Sequence, residues 1–129
     1  MENLINKNIS ILLVDDEPFI LNLTSKILNN LGYENLKTAQ DGNSALLKLV
    51  TSNSPFDLII CDMNMPEMDG ITMLKRLHND FSLPEANIVM LTTEATKELK
   101  TQARENGAKA WVLKPVSEDK VNMIFKKLL

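Results

Sequence analysis

Five short apolar segments alternate along this chain with five stretches of helical periodicity, and this alternation limits the possible folds more than any other feature. The predicted strands are residues 9–14, 35–39, 56–61, 87–91 and 110–113. Strands that are largely apolar are typical of a parallel sheet with helices on both faces. Strands and helices in strict alternation indicate an α/β domain. The sequence therefore predicts a (βα)₅ fold.

Each predicted helix carries apolar residues at helical spacing on one side, which should face the sheet. The fourth predicted helix, over residues 94–106, has the smallest apolar side chains on its inner face. This favours a helix that is attached loosely and can shift at a low cost in free energy. The predicted inner faces comprise Ile20, Leu23, Ile27 and Leu31; Ala45, Leu46, Leu49 and Val50; Ile71, Leu74, Leu77 and Phe81; Ala95, Leu99 and Ala103; and Val121, Ile124, Phe125 and Leu128.

Length and cysteine content set the class of protein. The 129 residues fit one domain, with residues 1–8 as a lead-in to the first strand. The single cysteine, Cys61, excludes an internal disulfide framework and favours a reducing compartment. The apolar run at residues 9–14 is too short for a signal peptide or a membrane span. We therefore expect a cytoplasmic protein with no membrane insertion.

Charge is distributed unevenly. Residues 1–94 carry 6 Lys and Arg against 13 Asp and Glu, whereas residues 95–129 carry 8 against 4. The overall net charge of −3 argues against nucleic acid as the main partner. A basic C-terminal third on an acidic body is consistent with a docking face for an acidic partner, and equally with an ordinary solvated helix surface.

Polar side chains collect at the ends of four predicted strands. Asp15 and Asp16 follow the first strand, Asp62 the third, Thr92 the fourth and Lys114 the fifth. Ligands of open parallel sheets bind outside the carboxyl ends of the strands, so these side chains should converge. Three carboxylates raise one another's pKa unless a cation lies between them. Carboxylates with open water positions suit Mg²⁺, and a lysine beside them suits a phosphoryl oxygen.

Each of these residues also has an ordinary structural explanation. An aspartate after a strand often caps the next helix, as Asp15 or Asp16 could do. A single threonine at a strand end is commonly a turn residue, and a single lysine is commonly exposed to solvent. The functional interpretation depends on their joint occurrence at four strand ends.

Longer motifs extend this pattern, and with them the chain resembles the receiver domains of two-component response regulators, most of all single-domain chemotaxis regulators of the CheY type. The resemblance covers residues 9–129. It implies a flavodoxin-like, doubly wound parallel sheet of five strands in the order 2-1-3-4-5. The matching segments are residues 13–18 (LVDDEP), 39–42 (AQDG), 62–70 (DMNMPEMDG), 90–94 (MLTTE) and 107–115 (GAKAWVLKP).

The resemblance assigns a role to each site residue. Asp62 is the expected phosphoacceptor. Asp16, Asp62 and the backbone carbonyl of Asn64 are expected to bind Mg²⁺ directly, with Asp15 acting through a bound water. Lys114 is expected to pair with a phosphoryl oxygen, and the peptide bond before Pro115 to be cis.

Further positions concern tuning and output. Asn64 and Glu94 match the two variable positions that tune hydrolysis, and this pair is the CheY-like combination. Thr92 and Trp111 match the two switch residues, although Trp111 stands where the family usually has Tyr or Phe. A larger indole, whose N–H needs a partner when buried, is also compatible with a purely structural core residue. The resemblance places output on the face formed by the fourth helix, fifth strand and fifth helix.

The implied partners are a sensor histidine kinase of the CheA type, a protein target such as a flagellar motor switch protein, and a phosphatase. We expect a monomer that catalyses only its own phosphorylation and dephosphorylation, and no direct control of transcription. A phosphorelay intermediate and a phosphate sink are alternatives of the same class.

Two other classes share parts of the pattern. A haloacid-dehalogenase-type phosphatase also phosphorylates an aspartate beside Mg²⁺, but its D-x-D motif follows the first strand, and this chain is too short for its cap domain. A flavodoxin-like FMN binder needs hydroxyls and glycines after the first strand, where this chain has Asp15, Asp16, Glu17 and Pro18.

Overall fold

The computed structural model describes residues 7–52, 55–65, 67–77, 87–93 and 96–129. Within these ranges the elements alternate as the apolar pattern predicts. In chain order they are β1 (Ile11–Val14), α1 (Pro18–Asn30), β2 (Leu36–Ala39), α2 (Gly42–Thr51), β3 (Leu58–Asp62), α3 (Gly70–Arg76), β4 (Asn87–Thr92), α4 (Lys97–Glu105), β5 (Ala108–Leu113) and α5 (Glu118–Leu128).

All strand pairs are parallel, and the order across the sheet is β2-β1-β3-β4-β5. This confirms the predicted five-stranded flavodoxin-like topology. The central strands β1 and β3 are buried along their whole length, whereas β2 leaves Lys37 and Thr38 exposed at the edge. The two strands whose carboxyl ends bear the predicted carboxylates are therefore buried along their whole length, unlike the edge strand β2.

The core consists of two layers, one on each face of the sheet. One layer joins alternate strand residues such as Leu12 and Ile59 to α2, α3 and α4. The other joins Ile11, Leu13 and Ile60 to α1 and α5. This alternation follows from the twofold periodicity of strand side chains.

Among the described helices, none combines the length and apolar character needed to cross a membrane.

The predicted inner faces of α1 and α2 need correction. In α1 the fully buried residues are Leu21, Thr24, Ile27 and Leu28, while Ile20, Leu23 and Leu31 are only half-buried. The centre of the buried face is occupied by a threonine, which an apolar pattern cannot reveal. In α2, Val50 is 48% exposed because Leu49 fills the inward position of the last turn.

The fourth helix begins later than its propensity indicates. Thr96 is its N-cap and accepts a hydrogen bond from the backbone N–H of Leu99, so the helix starts at Lys97 and not at residue 94. Ala103 is its only fully buried residue, and Leu99 is half-buried, which agrees with the predicted weak attachment. The predicted core positions Phe81 and Ala95 lie outside the described residues.

Candidate functional site

The register of the sheet brings the predicted site residues to one edge. Val14 is paired with Cys61, so Asp15 and Asp62 follow level positions of neighbouring strands. Thr92 pairs with Leu113, which places Lys114 one residue beyond Thr92. The backbone N–H of Lys114 donates a hydrogen bond of 2.7 Å to the carbonyl of Thr92, which extends this pairing past the end of β5.

Three carboxylates meet at this edge. Oxygen atoms of Asp15, Asp16 and Asp62 all lie within 4.8 Å of one another. Asp15 and Asp62 are buried, and Asp16 is half-buried, so the cluster opens towards solvent on one side. Hard oxygen ligands with an open side fit the requirements of Mg²⁺, which keeps several waters when it binds to proteins. The donor set therefore suits the predicted ion.

Lys114 balances part of this negative charge. Its Nζ lies 3.1 Å from Asp15 Oδ2 and 3.3 Å from Asp62 Oδ1, and the lysine side chain is only 10% exposed. Burial by itself lowers the pKa of this ammonium group, but the hydrogen bond with Asp15 and the charge of Asp62 raise the pKa above its usual value. Lys114 is therefore a fixed cation inside the acidic cluster.

The pKa of the Asp62 carboxyl group is raised, whereas an ion pair by itself lowers the pKa of an aspartate. Burial, supported by the nearby charge of Asp15, raises its pKa to about 6, although the backbone N–H of Asn64 and the ammonium of Lys114 lower it. That N–H donates to Asp62 Oδ1 over 3.2 Å. Positive charge stabilises the ionised form of a desolvated carboxyl group. This is the physical reason to expect a further cation beside Asp62.

The loop between β3 and α3 is packed tightly behind Asp62. Met63, Met65 and Met68 are all buried in the core layer that contains α2 and α3. This agrees with the gap-filling role of methionine. Gly70 begins α3 where a Cβ atom would lie 2.6 Å from the carbonyl oxygen of Asp62. Only glycine permits the helix to approach the phosphoacceptor candidate this closely.

A family model described as "Response regulator receiver domain" matches residues 11–126. The chain belongs to this family. The relatives of the receiver domain include chemotaxis protein CheY-3 of Vibrio cholerae, which is 35% identical over 99% of this chain and 100% of that protein. Chemotaxis protein CheY of Pseudomonas aeruginosa is 34% identical over 92% of this chain and 97% of its own length.

Solved structures agree with this assignment. The receiver domain superposes on Vibrio cholerae chemotaxis protein CheY4 with a TM-score of 0.82, at 35% identity over 95% of this chain and 99% of that one. A CheY-like receiver domain protein from Methanospirillum hungatei gives a TM-score of 0.80, at 33% identity over 94% of both chains. The family match favours a response regulator over the phosphatase and FMN-binding alternatives.

Of the other predicted residues, Thr92, Asn64 and Pro115 lie at or next to this edge, and Trp111 lies further down β5. Thr92 is buried at the end of β4, and the peptide bond between Lys114 and Pro115 is cis. Asn64 is exposed beside Asp62, and Glu94 lies outside the described residues. Trp111 is half-buried on β5, where it packs against the core layer beneath α4. It is therefore neither a fully buried core residue nor a free surface side chain.

A groove of about 570 Å³ lies on the face of the receiver domain that contains α4, β5 and α5. Its lining combines an apolar floor with a basic rim. The floor includes Trp111, Ile124 and Leu128, and the rim includes Arg104, Lys109 and Lys127. The basic C-terminal third of the sequence is thus concentrated partly around a concave surface.

Two features of the receiver domain escaped prediction from the sequence. Glu17 reaches Lys114, with 3.9 Å between its Oε1 and Nζ, although Glu17 itself is exposed. Its position next to Asp15 and Asp16 was a signal that could have identified it. Lys100 and Arg104 lie over the ring of Trp111. Their spacing of four residues places them on the same face of the helix, but no sequence pattern predicts that this face contacts β5.

Proposed function

We propose that this receiver domain is switched on by transfer of a phosphoryl group to Asp62 in the presence of Mg²⁺, and that it signals to a protein target in a CheY-like chemotaxis pathway. The observation that carries this proposal is the meeting of Asp15, Asp16 and Asp62 with Lys114 at one edge of the sheet. A cluster of this composition binds a cation and a phosphoryl group together.

The reaction at Asp62 transfers a phosphoryl group from the donor to a carboxylate oxygen. A carboxylate oxygen attacks the phosphorus of a phosphohistidine on a kinase, or of acetyl phosphate. The N–P or O–P bond of the donor breaks as an acyl phosphate forms, and the imidazole or acetate leaves with the bonding electron pair. Such transfers depend mainly on positioning and charge stabilisation, which the protein supplies through fixed groups.

The side chains around Asp62 divide these tasks. Asp15, Asp16 and Asp62 would hold Mg²⁺, with the Asn64 carbonyl as a further ligand, and the ion would neutralise charge on the transferring phosphoryl group. Lys114 is already within 3.3 Å of Asp62 Oδ1 and can turn to a phosphoryl oxygen while it stays close to Asp15. We propose a switch that modifies only itself, and not an enzyme with a separate substrate.

Thr92 and Trp111 would carry the signal away from the site. A phosphoryl group on Asp62 would attract the hydroxyl of Thr92, and the arrangement of Trp111 on the neighbouring strand would change in response. Phosphorylation can shift a two-state equilibrium only if it binds one state better, and a new bond to Thr92 provides that difference. The groove with its basic rim and apolar floor then suits an acidic, partly apolar segment of a protein target.

Intact mass after incubation with acetyl phosphate and Mg²⁺ tests the proposal. The wild-type protein should gain the mass of one phosphoryl group, and it should gain none after chelation of Mg²⁺. Asp62→Asn should also remain unmodified but keep its fold by circular dichroism, because the amide replaces the carboxylate without a change in shape. Asp57→Asn is a matched control, since Asp57 is exposed and lies away from the cluster.

Modification that survives in Asp62→Asn, or that is lost equally in Asp57→Asn, would contradict Asp62 as the acceptor. A wild-type protein that gains no mass at all would reject phosphorylation and leave a receiver fold that binds its partner without it.

A further inference from the structure

Two cationic side chains of α4, those of Lys100 and Arg104, lie over the indole ring of Trp111. Lys100 Nζ lies 5.2 Å from the centroid of its ring, and the guanidinium carbon of Arg104 lies 5.5 Å from it. The two residues are four apart in α4, so they project from the same side of the helix one turn apart. Contacts at these distances are within the range of cation–π attraction.

These contacts add to the few apolar contacts that attach α4 to the sheet. Among the described residues of this helix only Ala103 is fully buried, and Leu99 is half-buried. An alanine contributes little apolar area, so the indole and its two cations add an attachment that the small core residues do not provide. The position of α4 and the position of Trp111 are therefore mechanically linked.

One of these two cations, Arg104, also lines the proposed docking groove, and Lys100 lies one helical turn from Arg104 on α4. Trp111 lines the groove as well, and Lys109 and Lys127 add further positive charge nearby. A carboxylate competes well for a cation that is engaged with an aromatic face, because a charge-assisted hydrogen bond is stronger than an exposed cation–π contact. A partner with acidic side chains would thus remove the cations from the ring as it binds.

We infer that Lys100 and Arg104 clamp Trp111 in the unphosphorylated arrangement, and that an acidic protein segment releases the clamp by pairing with these two cations. The inference rests on the proposed output face, but the clamp itself can be tested without phosphorylation. By reciprocity, a partner that releases Trp111 also favours the phosphorylated state by the same factor.

The first experiment uses the unphosphorylated protein and hexaglutamate as the acidic probe at low salt. Trp111 is the only tryptophan, so its fluorescence reports on the clamp directly. Wild-type protein should respond to the peptide, and Lys100→Met with Arg104→Met should lose the response. Lys109→Met removes one charge from the same groove but not from the ring, so it should need more peptide yet reach the full wild-type fluorescence change at saturation. Lys100→Arg with Arg104→Lys keeps both cations and should also respond.

The second experiment follows phosphorylation. Loss of each exposed cation–π contact should shift the switch about two- to fivefold. Because the double methionine variant lacks both contacts, the acetyl phosphate concentration that phosphorylates half of the protein, read by intact mass, should fall about four- to twenty-five-fold, and it should remain near the wild-type value in Lys109→Met.

Failure of the clamp and failure of the proposed function are distinguishable. If hexaglutamate affects Lys109→Met and the double methionine variant equally, or leaves wild-type fluorescence unchanged, the clamp is wrong whatever the mass measurement shows. If wild-type protein gains no phosphoryl group but responds to hexaglutamate through Lys100 and Arg104, the clamp stands and the phosphorylation proposal fails.

Discussion

The acidic cluster and the α4–β5 face are built in different ways. Asp15 follows β1 and Asp62 ends β3, both strands are buried along their whole length, and both side chains are almost inaccessible to solvent. By contrast, α4 is attached to the face that it forms with β5 through one buried alanine, one half-buried leucine and its contacts with the half-buried Trp111. Chemistry requires fixed positions, whereas a signalling surface must change at low cost. The proposed chemistry would thus lie on the more deeply buried part of the molecule, and the proposed output on the less deeply buried part.

The largest expected effect comes from removal of Lys114. Lys114→Ala leaves two buried carboxylates without their shared cation, and loss of one partner of a buried ion pair costs about 3–5 kcal/mol. We expect this loss in urea denaturation with a chelator present, and a partial recovery when Mg²⁺ is added. Lys120→Ala is a control at a half-buried lysine whose ammonium group donates to backbone carbonyls and not to a carboxylate. Equal losses in the two variants would contradict a special role for Lys114 in the cluster.

A second substitution tests how rigid the site is. Gly70→Ala would place a methyl group 2.6 Å from the backbone oxygen of Asp62, and overpacking of this kind costs about 1–3 kcal/mol. Gly42→Ala is a matched variant, because its nearest contact is the flexible side chain of Met68 and not backbone. Denaturation midpoints should therefore fall further for Gly70→Ala. A greater loss at Gly42 would show that the loop behind Asp62 yields easily.

The raised pKa of Asp62 predicts a pH dependence of stability. Because the folded pKa is about 6 and the ordinary value is 3.8, the folded protein holds the proton more strongly between these values. The free energy of unfolding should therefore decline as pH rises from about 4 to 6, by on the order of 1–2 kcal/mol from this group.

Asp62→Asn isolates this contribution, since the other carboxyl groups titrate in both proteins. The stability difference between wild type and variant, measured without divalent cations, should change over this pH interval and be constant above it. A difference that does not vary between pH 4 and pH 7 would contradict the raised pKa.

The smallest expected effect concerns α4. Thr96→Ala removes the hydroxyl that accepts from the N–H of Leu99, and loss of such a cap costs about 1 kcal/mol. Because this helix is weakly attached, amide exchange in α4 should accelerate with little change in global stability. Ser117→Ala removes the corresponding cap of α5, which is anchored by Val121 and Phe125. If both variants change exchange only within their own helix to the same extent, the contrast in attachment is wrong.

The sequence predicted the order and type of the elements well, and their limits less well. Apolar runs located all five strands, but β3 extends to Asp62 itself and β5 begins at Ala108, because neighbouring strands continue the pairing beyond the apolar residues. The buried face of α1 centres on Thr24, and Val50 of α2 is exposed. Helical periodicity defines an apolar stripe, but packing against the sheet decides which part of it is covered.

The sequence by itself determined the composition of the candidate site. Carboxyl ends of parallel strands must share one edge, so residues at or just beyond the ends of β1, β3, β4 and β5 meet whatever the details of packing. The tertiary structure alone decided the ion pairs of Lys114, the desolvation of Asp62 and the cations above Trp111. These depend on distances between groups far apart in the chain, and local sequence patterns contain no information about such distances.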